Sequence, residues 1–147
     1  MKERYGSIVD VHLVLRREGQ ILLATRINTG FGDGCFNLPS GHLERGESVI
    51  EGVIREAKEE IGVVVEPAAL RFLHVMHHRG ASGDARIGFF FEATRWDGEP
   101  TNLEPDKCGG LLWADPDALP ENTVAYPAAG IAQCQGGAPF SLDGWDG

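Results

Sequence analysis

The stretch from Ser48 to Gly62 constrains the fold most, because it carries its own start, its own stop and two distinct faces. Ser48 followed three residues later by Glu51 is a capping box, which predicts a helix starting at Ser48. Gly62 closes the periodic run and supplies the left-handed stop. Between them Ile50, Val53, Ile54, Ala57 and Ile61 recur at helical spacing and form one apolar stripe, so this helix needs a sheet or a second helix to cover it. At about 100° per residue, Glu56, Glu59 and Glu60 gather on a neighbouring face, together with Gly52. A glycine inside a helix costs about 1 kcal/mol against alanine, so Gly52 is expected to make room for something bulky.

Three acids on adjacent turns repel one another, by a few tenths of a kcal/mol for each close pair. Arg55 and Lys58 are the cations near enough to offset this. A solvated charged face is one reading; a site for a hard cation is the other, since carboxylate oxygens suit Mg²⁺ or Mn²⁺.

The wider stretch from Gly41 to Val63 resembles the signature of the Nudix hydrolases, G-x(5)-E-x(7)-R-E-U-x-E-E-x-G-U with U aliphatic. Gly41, Glu47, Arg55, Glu56, Ala57, Glu59, Glu60, Gly62 and Val63 fill its slots. The resemblance implies an α/β fold, an α/β/α sandwich with a mixed β-sheet, and hydrolysis of a nucleoside diphosphate linked to another group. It implies that Glu56, Glu59 and Glu60 hold Mg²⁺ or Mn²⁺, that the Ser40 backbone carbonyl completes the metal shell at the Ser40-Gly41 turn, and that Glu47 braces Arg55. Ser40 stands where glycine is common in that family.

The rest of the chain supplies strands. Ser7 to Arg16 is largely apolar and predicts a central strand; Glu18-Gly19-Gln20 is a turn, and Ile21 to Ala24 returns as a hairpin. Arg26 ends that strand. It reads as a surface cation or as a phosphate contact, which a guanidinium fork suits, and it matches a strand-end arginine that MutT-type members use on substrate phosphates. Asn28 to Asp33 is a Gly-rich loop expected near the substrate. Val63 to Val65 and Leu70 to Met76 predict strands divided by Pro67. Ile87 to Ala93 predicts another, with Phe89, Phe90 and Phe91 read as core.

His74, His77 and His78 lack the companion cysteines of a zinc motif, and His77 and His78 alternate across a strand. Glu104, between a turn and the strand Leu111 to Ala114, resembles the segment in MutT-type enzymes that gives the metals one further Glu; Glu99 and Asp106 are alternatives. Glu59, Glu60 and Glu104 are thus the candidate catalytic acids. Asp115 to Leu119 begins a helix or turn, and Ala125 to Cys134 predicts the last helix. Asn122 is a turn residue that, by the same resemblance, reads a base.

The 147 residues, 42% hydrophobic, suit one domain over residues 1–135 with a Gly-rich tail over 136–147, expected to dock through Phe140 or Trp145. The net charge of −9 argues against a nucleic-acid polymer as partner and leaves a small nucleotide, whose phosphates bound metal ions would neutralise. No apolar run reaches membrane-spanning length, and the start MKERYGS has no signal-peptide core. Cys35, Cys108 and Cys134, odd in number and without C-x-x-C spacing, fit reduced thiols in the cytoplasm. The resemblance allows a homodimer. Downstream, His77-His78-Arg79-Gly80 shows neither the proline of ADP-ribose-type members nor the tyrosine of dinucleoside polyphosphate types. That tilts the expectation towards nucleoside triphosphates, with an ADP-sugar pyrophosphatase or a non-catalytic nucleotide-binding module as alternatives.

Overall fold

The computed structural model describes residues 2–145. Its spine is β1 (Ile8–Arg17), which is apolar on both faces because both are covered. Val11, Leu13 and Leu15 point to one side and pack with Val53, Ala57 and Ile61 of α1 (Val49–Ile61). Val14 points to the other side, into a cluster with Ile131 of α2 (Ala125–Gln135). The sheet is therefore sandwiched between the two helices, as the α/β/α expectation requires.

Around β1 the sheet is mixed. β1 turns through Glu18 and Gly19, both at positive φ, into β2 (Gln20–Arg26), its antiparallel partner. Beyond β2 lie the short β3 (Phe36–Asn37) and, on the strand's other pairings, β7 (Cys108–Ala114). On the opposite flank β1 runs parallel to β6 (Ala85–Ala93), which pairs antiparallel with β5 (Leu70–Arg79). The three-residue β4 (Ser40–His42) also lies antiparallel to β1 and aligns Ser40 with His12.

α1 has the ends its sequence requires. Ser48 accepts from the Glu51 amide at 3.1 Å while Glu51 accepts from the Ser48 amide at 2.9 Å, and Gly62 caps the far end at φ 70°. Gly52 is buried, and a Cβ there would come within 2.8 Å of Leu43 and 3.1 Å of Glu47, so the bulky neighbour is the loop that enters the helix. Gly130 plays the same part in α2, where a side chain would collide with the Phe90 ring.

One expectation changes, one narrows to a single alternative and one is extended. Val63 to Val65 form no strand; Val64 makes one isolated bridge to Asp97, with both amides bonded, before Pro67 opens a single 3₁₀ turn. A proline cannot donate to a ladder, and beyond Asp97 the partner segment bonds to the end of α1 instead, the Thr101 amide donating to the Ile61 carbonyl at 2.9 Å. Asp115 to Leu119 is a turn, closed by the Ala118 amide on the Asp115 carbonyl. Within the Gly-rich tail, Phe140–Asp143 form β8, parallel to β5, and the Trp145 Nε1–H donates to the His77 carbonyl at 2.8 Å. No helix among the described residues is long and apolar enough to cross a membrane.

Candidate functional site

Chain entry into α1 builds the site. The backbone of β4 alternates: the Pro39 carbonyl and the Leu43 amide bond to β1, so the Ser40 and His42 peptide groups face away from it, towards the helix. There the Ser40 amide donates to Glu60 Oε2 at 3.0 Å and the His42 carbonyl accepts from Arg55 Nη2 at 3.1 Å. Gly41 lies between them without a side chain because a Cβ would fall on the Glu56 carboxylate. The backbone and α1 are thus in contact through acids.

Arg55 holds this junction. Its Nε and Nη2 donate to the two oxygens of Glu47 at 2.9 and 2.7 Å, a bidentate fork. Its Nη1 reaches Glu56 at 2.8 Å and Glu59 at 3.2 Å, and Glu44 lies 3.3 Å from Nε. The guanidinium holds the Glu47 carboxyl down at about 2 and is itself held more firmly protonated than usual.

One cation does not balance the acids. Burial lifts the Glu60 carboxyl well above the ordinary range, and the charges of Glu56, Glu104 and Glu59 lift it further against the Ser40 amide. Burial also raises Glu56, with Glu59 and Glu104 adding to it and Arg55 opposing. Glu104 is therefore close enough to act on both helix acids. Asn102 places it: its Oδ1 accepts from the Glu104 amide at 3.0 Å and its Nδ2 donates to the Cys108 carbonyl at 2.8 Å. Of the alternatives, Glu99 pairs with Arg17 at 3.1 Å, and the Asp106 carbonyl accepts from Asn28 Nδ2. Among the described residues no three acids, histidines or cysteines are drawn up closely enough to hold a metal ion as they stand; Glu56 is turned onto Arg55 and Glu60 onto the Ser40 amide.

Two adjoining cavities open beside this junction. The first, about 330 Å³, is lined by Glu60, Glu104, Ser40, Arg26 and Thr25 among others. The second, about 370 Å³, lies on the α2 side of β1 against Asp10, His12, Arg86, Tyr126 and His78. Arg26, Asn37, Ser40 and His42 border both. Arg26 is tied into the Gly-rich loop, with Nε donating to the Phe31 carbonyl at 2.8 Å and Nη2 to Thr29 Oγ1 at 3.2 Å. Asn122 donates to the Gly34 carbonyl at 2.9 Å, braces that loop and borders neither cavity.

Asp10, His12, Asn37, Arg86 and Tyr126 escape the sequence reading as site residues. Their signal is present for the first two: Asp10 and His12 are polar at alternating positions inside an apolar strand, hence on one face. Asp10 is an anchor there, accepting from the Tyr126 hydroxyl at 3.0 Å, meeting His42 Nδ1 at 2.9 Å and pairing with Arg86 Nε at 2.8 Å. The histidines of β5 act separately: His74 Nδ1 meets the Ala138 carbonyl at 2.6 Å, and the His78 ring stacks on Tyr126.

Comparison with known proteins agrees with this architecture. Residues 5–133 match the family profile described as NUDIX domain. An ADP-ribose pyrophosphatase from Methanocaldococcus jannaschii is 44% identical over 62 residues, 42% of this chain and 36% of that protein. The 8-oxo-dGDP phosphatase NUDT18 of Mus musculus is 36% identical over 100 residues, 67% of this chain and 25% of that protein. The chain thus spans well under half the length of these curated relatives. The crystal structure of a MutT NUDIX hydrolase from Burkholderia pseudomallei superposes with a TM-score of 0.79 at 30% identity, covering 88% of this chain and 98% of that one.

Proposed function

Since the chain belongs to the Nudix family, a match that spans residues 5–133, we propose that it hydrolyses the diphosphate linkage of a nucleotide or nucleotide derivative, with a nucleoside triphosphate as the favoured substrate. The observation that carries this reading is the packing of Glu56 and Glu60 against the Ser40-Gly41 backbone, with the charges of Glu59 and Glu104 acting on both, beside a cavity that Arg26 also borders.

The donor set fits a hard divalent cation. It is all oxygen, and Arg55 alone does not compensate its charge; burial and the neighbouring acids raise the Glu56 and Glu60 carboxyls. Glu56, Glu59, Glu60 and Glu104, with the Ser40 carbonyl, would hold Mg²⁺ or Mn²⁺. Such an ion neutralises phosphate oxygens and acidifies water when bound. The chain's own residues do the remaining work. Arg26, which borders the cavity, would bind the phosphates through its guanidinium. Glu47 and Arg55 orient the acids, as outer partners of ligands do. Water attacks phosphorus, the bridging P–O bond breaks, and the proton released goes to one of Glu59, Glu60 and Glu104.

A second reading, a pyrophosphatase of a nucleoside diphosphate sugar, is favoured by the ADP-ribose pyrophosphatase among the relatives. Incubation with Mg²⁺ and a panel of nucleoside triphosphates and nucleoside diphosphate sugars, followed by identification of phosphate products, separates the two. Release of pyrophosphate from the triphosphates is expected; no product from any member of the panel would overturn the reading. All three cysteines are unpaired, which supports a reducing compartment such as the cytoplasm.

A further inference from the structure

The acids of the site come from two kinds of backbone. Glu56, Glu59 and Glu60 share α1, whose own hydrogen bonds fix their places, but Glu104 sits on a loop outside any helix or strand. Loop backbone is the more mobile part of a fold unless something ties it down. A carboxylate that must stand beside Glu60 therefore needs a tether, and this one has two parts.

The first part is the end of α1. The last carbonyls of a helix have no partner inside it. Here the Ile61 carbonyl accepts from the Thr101 amide at 2.9 Å, and the Glu60 carbonyl accepts from the Leu103 amide at 3.1 Å. The loop thus runs along the open end of the helix, and the residue next to Glu104 is bonded to the backbone of Glu60 itself. Leu103 lies over Gly62, where a Cβ would come within 3.1 Å of its side chain, so the glycine that stops the helix also seats the loop.

The second part is Asn102. Its one side-chain amide holds the loop at both ends, accepting from the Glu104 amide and donating to the carbonyl of Cys108, where β7 begins. The Glu104 carbonyl in turn accepts from the Lys107 and Cys108 amides at 2.9 and 2.8 Å. Both backbone groups of Glu104 are engaged, which leaves its side chain as the free part, on the wall of the cavity it shares with Glu60.

We infer that Asn102 is a positioning residue for the reaction: together with the Glu60 carbonyl it locks the loop, so that the Glu104 carboxylate stands in fixed register with the acids of α1. Its part in turnover rests on the hydrolase reading; the lock itself does not. An untethered Glu104 would hold that position only part of the time, and a misplacement of about 1 Å at such a site costs on the order of 100-fold in rate.

The first measurement is amide hydrogen exchange on the whole, metal-free protein. In the parent the Leu103 and Glu104 amides should exchange at least about tenfold more slowly than in an open chain. Asn102→Ala should return the Glu104 amide to within about threefold of the open-chain rate and leave the Ala57 amide inside α1 unchanged. Leu103→Ala, at a side chain already 52% exposed, should speed exchange at both loop amides without unfolding the protein. The second measurement is a double-mutant cycle in kcat with Mg²⁺. Asn102→Ala alone should cost about 10- to 100-fold. Made on top of Glu104→Gln it should cost less than about twofold, since no carboxylate is then left to place. Equal losses in the two backgrounds would mean a merely structural role and would overturn the proposal, as would a Glu104 amide that exchanges at the open-chain rate in the parent. A parent that turns over no nucleotide while its Glu104 amide is protected would fail the hydrolase reading and still support the lock.

Discussion

Arg55 grips Glu47 with two parallel bonds, 2.9 and 2.7 Å long, and so fastens the loop before α1 to the helix that bears the acids. The same guanidinium touches Glu56, Glu59 and the His42 carbonyl, so loop position and carboxylate position are set by one side chain.

Arg55→Lys should therefore behave as a poor replacement. An ammonium is a point charge and cannot fork onto Glu47 while also meeting Glu56 and His42. Turnover with Mg²⁺ is expected to fall on the order of 10- to 100-fold, the usual cost of losing an outer partner of a metal ligand. Steady-state kinetics on purified variant and parent checks this; equal kcat would show that the fork does not position the acids.

Glu47 gives a pH signature. Its carboxyl is lowered in the folded state to about 2 from an ordinary 4.5. The folded state thus binds fewer protons, and the stability from this group is complete above about 4.5 and lost as pH falls through about 2. In denaturant unfolding, Glu47→Gln should be less stable than the parent at pH 7, with the gap closing steadily between pH 4.5 and 2. A gap independent of pH would refute the assignment to ionisation.

Glu60 has the opposite sign. Its carboxyl is raised by burial and by Glu56, Glu104 and Glu59. The folded state then binds more protons than the unfolded one, so the metal-free protein loses stability as pH rises from the ordinary carboxylate range towards the folded value. Glu60→Gln removes that charge while keeping an oxygen for the Ser40 amide. The variant should melt higher than the parent at pH 7 in a chelator, lack the rise in Tm expected of the parent on adding Mg²⁺, and turn over about 100-fold more slowly or worse. A variant that melts lower in chelator would contradict the charge argument.

Gly41→Ala separates site geometry from fold. The new methyl falls where the Glu56 carboxylate lies, so the carboxylate or the strand must shift, at roughly 1–3 kcal/mol for such overpacking. Activity should fall by at least 10-fold, while Gly6→Ala, with nothing within 4 Å of its Cβ, should leave activity and Tm unchanged. Kinetics and thermal melts of both variants check the contrast.

Local signals made α1 legible: its capping box, its Gly62 stop and its apolar stripe all act within a few turns. The strands Ile8–Arg17, Ala85–Ala93 and Cys108–Ala114 followed from apolar runs, with ends off by one to three residues. Hidden were features decided by distant partners. That Gly52 makes room was legible, but not that Leu43 and Glu47 fill it. Val63 to Val65 have strand composition and no neighbouring strand to pair with. His12 is one polar residue in an apolar strand until Asn37, Arg86 and Tyr126, from three other elements, close around it. The tail was legible as a docked segment but not as a strand, because β8 depends on β5 rather than on its own alternation.

That dependence is testable at Ser141. His74 is fully buried on β5, and its two ring nitrogens are met by the tail alone, Nδ1 by the Ala138 carbonyl at 2.6 Å and Nε2 by Ser141 Oγ at 2.7 Å. A neighbouring contact joins His78 Nδ1 to Asp143 at 2.7 Å. Ser141→Ala removes one partner and leaves His74 Nε2 bare in the interior, which costs about 1–3 kcal/mol. His74→Phe together with Ser141→Ala removes both polar groups, and should recover part of that loss where the single variant cannot. Denaturant unfolding of the two single variants and the double variant measures the coupling. Strictly additive losses would show that β8 is held by its ladder bonds and that the buried histidine has no part in anchoring the tail.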